Sequence, residues 1–299
     1  MSAEIFGPAY TYIDGKLAML LGERVGSVMS SVQPVLMAAV TLYVVLYGYA
    51  ILRGSIDEPI MDFIMRAVKL VFIVAIATTG AYNSFVTGPL FTGMPNWIAG
   101  AVTGGSTGGA GAPFDQMLAM GLSTGEAISE TATPLDLATN LIAVVVIIVG
   151  VLAAAIGFAI FMIAKVALAL LVTLGPIFIA CLVFEPTRRF FYGWLSQAVN
   201  YLVLFALMIV VFQMIVDFTF AQYGAGGQDP IIQGFMFIAL SFLGVIFFLQ
   251  VPALAAGIAG GAAAGLKDFQ NIASKAPKLG GGGGGGGGSG SGGGSVGKK

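Results

Sequence analysis

The feature that most constrains this chain is the stretch Asn140–Phe184, 45 residues (140 to 184 inclusive) of apolar sequence interrupted only by Lys165. As one α-helix it would rise about 67 Å, more than twice the hydrocarbon core of a bilayer. Four further apolar runs, Pro34–Leu52, Val68–Val86, Leu195–Val216 and Ile232–Val251, are each close to the ~20 residues that one crossing takes. Only 9% of the 299 residues are charged and 58% are apolar, whereas a soluble chain is about a quarter charged. Most of the surface must therefore face lipid or other protein. The expected fold is an all-α membrane protein with about five transmembrane helices, a re-entrant or broken helix, and an N-terminal amphipathic helix.

That amphipathic helix is expected over Tyr12–Val32, where Ile13, Leu17, Leu20, Leu21, Val25, Val28 and Val32 recur at helical spacing between Asp14, Lys16, Glu23 and Arg24. It should lie on the membrane surface or pack on a partner. Met1–Tyr12 carries Glu4 and no basic residue before Lys16, unlike the charged start of a secretory signal, so the first apolar segment is expected to stay in the membrane. The chain then divides into an external helix (1–33), a first transmembrane pair (34–86), an external glycine-rich loop with a short helix (87–138), a transmembrane core (139–251) and a cytoplasmic glycine-rich tail (252–299). Within the loop, Gly100–Pro113 reads as mobile and Phe114–Thr131 as a helix ended by Pro134. Gly280–Lys299 reads as disordered.

Several chemistries are excluded. There is no histidine, and Cys181 is the sole cysteine, so no disulfide forms within the chain and no Cys/His metal site or histidine-based catalytic triad can be built. Cys181, in an apolar run, reads as a small buried hydrophobe. A net charge of −1 gives no footprint for nucleic acid. No phosphate-loop motif is present, and the glycines of Gly100–Pro113 come with no lysine. No catalytic residue, metal or cofactor is expected, and the chain does not read as an enzyme.

Lysine and arginine mark the cytoplasmic side of a membrane protein. They gather at Arg53/Arg66/Lys69, at Arg188/Arg189 and in the tail at Lys267, Lys275, Lys278, Lys298 and Lys299. Between Lys69 and Lys165 there is none, and between Arg189 and Lys267 there is none. An odd number of crossings follows, with the N-terminus outside and the C-terminus inside. To keep Arg188 and Arg189 inside, Leu141–Ala164 is expected to cross once, leaving Lys165 near the cytoplasmic face. There it would snorkel or contact a lipid head group, a pilin or a neighbouring subunit. Val166–Phe184 would dip in and return at Gly175-Pro176, each arm about 15 Å long. Six crossings with an external C-terminus is the alternative. Gly150 and Gly157 supply small faces for close helix approach.

The most informative stretch is Leu171–Met208. Glu185-Pro186-Thr187 reads as a helix stop and N-cap that starts a new helix at Arg188. Arg188 and Arg189 belong at the head groups, with Phe190, Phe191, Tyr192 and Trp194 as an interfacial belt or as a docking point for a cytoplasmic partner. Gln197 and Asn200, three apart, share a helix face; with Gln213 they would hydrogen-bond between helices or line a substrate path.

Gly175-Pro176 with Phe178, then Thr187-Arg188-Arg189-Phe190-Phe191, Trp194 and Asn200-Tyr201, together resemble the core of the TrbL/VirB-type polytopic inner-membrane subunit (the sixth VirB component) of bacterial type IV secretion systems. The likeness is looser over Pro34–Val251, and this loop is shorter and richer in glycine than in some relatives. The resemblance implies a bacterial inner-membrane platform supporting pilus assembly and transfer of DNA or protein. It implies a homo-oligomeric ring, a pentamer in the reading taken here. Implied partners are the major and minor pilins, other inner-membrane subunits and ATPases, with membrane lipids around the ring and the transported DNA or protein only transient. A pilin-holding groove is expected near Gly175-Pro176, beside Ile177 and Leu182. The alternative function is a secondary transporter of a small solute; the spans identified in the sequence hold no carboxylate, and no internal repeat is evident.

Overall fold

The structure is a computed structural model that describes residues 4–54, 60–103, 109–133, 136–224 and 229–275. Every regular element among them is helical. In chain order these are α1 (Phe6–Leu52), α2 (Ile60–Thr78), a π-helical segment (Asn83–Gly93) that runs into α3 (Met94–Thr103), a 3₁₀ turn (Gly109–Gly111), α4 (Ala112–Thr131), α5 (Leu137–Ala180), a second 3₁₀ turn (Glu185–Thr187), α6 (Arg188–Gly224) and α7 (Pro230–Lys275). Four helices are long and apolar enough to cross a bilayer. A fifth crossing results if the pair Phe63–Thr78 and Asn83–Val102, bent by 56°, counts as one broken span. Residues up to Ala263 form one compact unit; the second unit is helical as far as Lys275, and the glycine-rich tail from Gly280 lies outside the described residues.

α5 is the axis. Tyr10 meets Phe161 and Tyr43 meets Phe184, so α1 runs parallel to the C-terminal half of α5. α6 runs back along it, with Trp194 beside Phe178 and Phe205 beside Phe161. α4 covers the N-terminal half in the antiparallel sense, from Phe114 beside Phe158 to Gly125 beside Ala143 and Ile147. α7 returns parallel to α5, Phe237 lying at Gly150 and Phe248 at Gly157. At the α4–α5 crossing a Cβ added to Gly150 would sit 3.1 Å from the Gly121 Cα and 3.1 Å from the Phe237 ring, so the two glycines let the backbones touch.

One buried cluster joins Phe114, Phe161, Phe205 and Phe212 of α4, α5 and α6; a second joins Val25 and Leu36 of α1 to Ile73, Tyr82 and Val172. The N-terminus of α1 has no side-chain cap of its own. Instead Asp115, in the first turn of α4, accepts the N–H groups of Ile5 (2.8 Å), Phe6 (2.7 Å) and Gly7 (2.7 Å). A carboxylate is favoured there both by the unpaired N–H groups and by the helix dipole.

Several expectations need correction. α5 passes straight through Gly175-Pro176 as one helix of 44 residues, about 66 Å long. There is no dip and return, and the six-crossing alternative, which needs two crossings in this stretch, falls with it. The broken element is instead residues 60–103, where a helical segment also replaces part of the expected loop. Its break follows Thr78 because Thr78 and Thr79 turn their hydroxyls back onto the Val74 and Ala75 carbonyls, while the Thr79 hydroxyl also accepts the Ala81 N–H and Gly80 follows. The amphipathic segment Tyr12–Val32 and the span Pro34–Leu52 are one helix of 47 residues, with Pro34 inside. The short helix after the loop ends at Thr131 as expected but starts at Ala112, two residues before Phe114, while Pro134 and the centre of the glycine-rich stretch, 104–108, lie outside the described residues.

Candidate functional site

Two prolines create the geometry of the centre. A helical proline has no N–H, so the carbonyl four residues earlier loses its partner. For Pro176 that carbonyl is Val172. It is taken by the hydroxyl of Tyr82, which reaches over from the broken span. One residue earlier along α5, the Leu171 carbonyl accepts the indole N–H of Trp194 at 2.8 Å. Gly175 is what admits both rings. A Cβ there would overlap the Tyr82 hydroxyl, lie 2.8 Å from Tyr82 Cζ and 3.1 Å from the Trp194 ring. Phe178 stacks on Trp194 with ring centroids 6.2 Å apart. Gly175, Pro176 and Trp194 are thus brought together, although the backbone does not turn there.

The second proline is Pro95, and the carbonyl it leaves without an α-helical donor is Phe91. Lys165 Nζ takes it at 2.8 Å. The same ammonium lies 2.9 Å from Asp14 Oδ1 of α1 and sits over the Phe91 ring at 4.2 Å, with Phe205 at 5.8 Å and Tyr10 at 5.9 Å. Lys165 is fully buried, so it neither snorkels nor reaches the end of the bundle. The expectation failed because α1, read as a separate surface helix, supplies the counter-charge deep in the fold. Four elements, α1, the π-helical segment, α5 and α6, converge on this one side chain. A carboxylate therefore does lie among the packed spans, at a position the separate-helix reading could not place.

A group of basic residues gathers at one end. Arg66 and Arg188 lie close enough to Lys69 to repel its charge, with Glu185 offsetting them. Arg188 pairs with Glu185 at 3.4 Å and donates to the Leu182 carbonyl at 3.4 Å. Arg53 and Arg66 lie over the Tyr49 and Tyr47 rings at 5.5 Å and 4.9 Å. Arg189 covers the exposed Phe190 at 5.0 Å. Arg188, Arg189 and Phe190 thus share an end with other aromatic and basic residues. Trp194 leaves the belt, being 5% exposed and occupied with α5. Thr187 caps backwards, its hydroxyl donating to the Cys181 carbonyl (2.6 Å) and the Phe184 carbonyl (3.0 Å) at the end of α5. Gln197 is exposed, and the Asn200 amide oxygen is buried without a hydrogen-bond partner among the described residues. Gln213 bonds to Asp217 on its own helix at 3.0 Å. Among the described residues none of the three bridges helices. Tyr82, Asp14 and Phe91 were missed by sequence reasoning; the signal available for Phe91 was its place four before Pro95, and no local signal marked Tyr82 or Asp14.

These groups are engaged with backbone or with each other, so the arrangement fixes helices against one another rather than offering a nucleophile or base. What it defines is a polytopic helical membrane protein with a polar hub at its centre. The family described as TrbL/VirB6 plasmid conjugal transfer protein matches residues 40–251, and the chain belongs to that family. The type IV secretion system protein VirB6 of Bartonella quintana is 26% identical over 261 residues, covering 84% of this chain and 78% of the relative. Its counterpart in Bartonella henselae has the same identity and coverage. Protein VirB6 of Agrobacterium fabrum is 25% identical over 224 residues, 71% of this chain and 72% of the relative.

Proposed function

We propose that this chain is the platform and channel subunit of a type IV secretion machine in a bacterial inner membrane, supporting pilus assembly and the passage of DNA or protein. In this reading the basic end is cytoplasmic, the N-terminus periplasmic and the C-terminus cytoplasmic. Family membership and the names of the Bartonella relatives support the machine. The grouping of Arg66, Lys69 and Arg188 supports the orientation.

The observation that carries the platform role is a stripe on α5. Leu141, Val145, Ile148, Leu152, Ile163, Val166, Leu170, Leu174 and Ile177 are all exposed and lie on one face of the helix, in two runs at helical spacing separated by three turns between Leu152 and Ile163. From Leu141 to Ile177 the stripe rises about 54 Å, while a hydrocarbon core is about 30 Å thick. Lipid covers little more than half of it, and protein must cover the rest. A ring of copies, a pentamer in this reading, would cover part, and pilins would pack on the remainder, with other inner-membrane subunits and ATPases at the basic end. The Asp14–Lys165 hub holds α1 and the broken span to the axis while this face is loaded. A solute transporter would open that pair to a path; here the ammonium is closed in by Asp14, the Phe91 carbonyl and three rings, which favours a latch.

The test is complementation of a strain lacking this gene. Leu170→Glu on the stripe is expected to abolish transfer and to reduce the purified assembly to monomers in native mass spectrometry. A wild-type monomer together with normal transfer by Leu170→Glu would remove the proposal. Orientation is read separately, with Cys181→Ala as background: a cysteine at Glu185 is expected to react from the cytoplasmic side only.

A further inference from the structure

A cleft of about 470 Å³ opens between α2, the π-helical segment, the end of α5 and the start of α6. Phe72, Ile76, Pro89, Leu182, Phe191 and Trp194 are among its walls, and every lining residue is apolar or aromatic. Its size identifies its occupant. The volume falls within the range of small-ligand pockets, roughly 300–1,000 Å³. Its walls ask for a hydrocarbon chain.

Charge identifies the other part of the occupant. Lys69 precedes Phe72 and Ile73 by three and four residues, so it lies on the same face of α2, one turn nearer the basic end. Arg188 stands in the same relation to Phe191 on α6. The two cations are close enough to repel each other. They therefore sit about 5 Å, one helical turn, beyond an apolar cleft, as a head group sits beyond its acyl chain. Arg188 already pairs with Glu185 at 3.4 Å, but that pair is largely solvent-exposed and so weak, and with Arg66 nearby the end keeps a net positive charge that favours an anionic partner. We propose that this cleft is a binding site for one anionic phospholipid, its acyl chain between α2 and α6 and its phosphate held by Lys69 and Arg188. The site requires only that the chain sits in a bilayer, so its failure would leave the secretion role untouched.

The chain has two tryptophans, and Trp194 is a wall of the cleft, whereas Trp97 is exposed. Trp97→Phe leaves Trp194 as the sole emitter. This variant is reconstituted in phosphatidylcholine with rising fractions of phosphatidylglycerol brominated on its acyl chains, and separately with brominated phosphatidylcholine. Brominated phosphatidylglycerol is expected to reach half-maximal quenching at about a 30-fold lower mole fraction, the preference that two basic residues give. Adding Lys69→Gln and Arg188→Gln is expected to bring the two curves together. Ile76→Phe, which fills the cleft, should weaken quenching by both lipids. Equal quenching by the two lipids in the Trp97→Phe protein overturns the site, and that measurement does not depend on the other variants folding. Quenching by neither lipid overturns it as well and assigns the cleft to a neighbouring copy. A preference that survives loss of both cations overturns the head-group assignment.

Discussion

The carbonyls of Phe91 and Val172 carry the same defect and are repaired in different ways. Each stands four residues before a proline and has lost its α-helical donor. Val172 receives a neutral hydroxyl from Tyr82; Phe91 receives the ammonium of Lys165, which needs Asp14 beside it. A neutral donor joins two segments. A charged donor must also bring a counter-charge, and so joins a third. The difference explains why Lys165 ties in α1 while Tyr82 ties only the broken span to α5. It predicts that the charged repair is the one whose loss does most harm. Lys165→Met leaves Asp14 without a partner and Phe91 without a donor, and breaking a buried pair costs about 3–5 kcal/mol. Thermal unfolding in detergent should show the largest fall for this variant, and Asp14→Asn in the same background should recover part of it. A Lys165→Met protein as stable as wild type would remove the hub.

The neutral repair gives smaller effects, and in a set order. Gly175→Ala drives a methyl into the Tyr82 hydroxyl, and overpacking of that kind costs about 1–3 kcal/mol. Tyr82→Phe alone loses one interhelical hydrogen bond, about 0.6–1.7 kcal/mol among membrane helices. The two combined should be milder than Gly175→Ala alone, because the clashing atom is gone. If the losses simply add, the Cβ is meeting something else. Trp194→Phe should come next, near 0.5–1 kcal/mol, since the Leu171 carbonyl is not the one that Pro176 orphans.

The membrane class and the four to five candidate crossings were legible in the sequence, because apolar run length is a local property, and the sequence also singled out Gly175, Pro176 and Trp194, which the fold brings together. The path of α5 was not legible. Gly-Pro inside an apolar run looks like a turn when the freed carbonyl is assumed to stay empty. Here its donor is Tyr82, 90 residues away, and nothing near Pro176 announces it. Lys165 failed for the same reason. Its depth depends on Asp14, half the chain distant, on a helix whose continuity through Pro34 local pattern does not reveal. Polar residues in the spans misled in the other direction. Gln197 and Asn200 share a helix face as spacing requires, yet one is exposed and the other meets no hydrogen-bond partner among the described residues.

Helix N-termini extend the contrast between local and distant repair, and supply the weakest expected effect. α1 is capped from another helix by Asp115, whereas α5 is capped by the residue before it: Asp136 accepts the Thr139 N–H at 3.2 Å and the Thr139 hydroxyl at 2.7 Å. Those two bonds favour the charged carboxylate and hold Asp136 below the ordinary aspartate range, against a small opposing effect of desolvation. A carboxyl more acidic when folded contributes stability that is complete above its unfolded value, about 3.9, and disappears as pH falls through the lower folded value. Asp136 is fully exposed, so the effect is small and belongs to acid alone. Asparagine caps a helix about as well as aspartate but does not titrate. Asp136→Asn should therefore match wild type at pH 7 and lose less stability between pH 5 and 3, measured as unfolding temperature. A variant that differs at pH 7 and follows wild type in acid would mean that α5 takes its cap elsewhere.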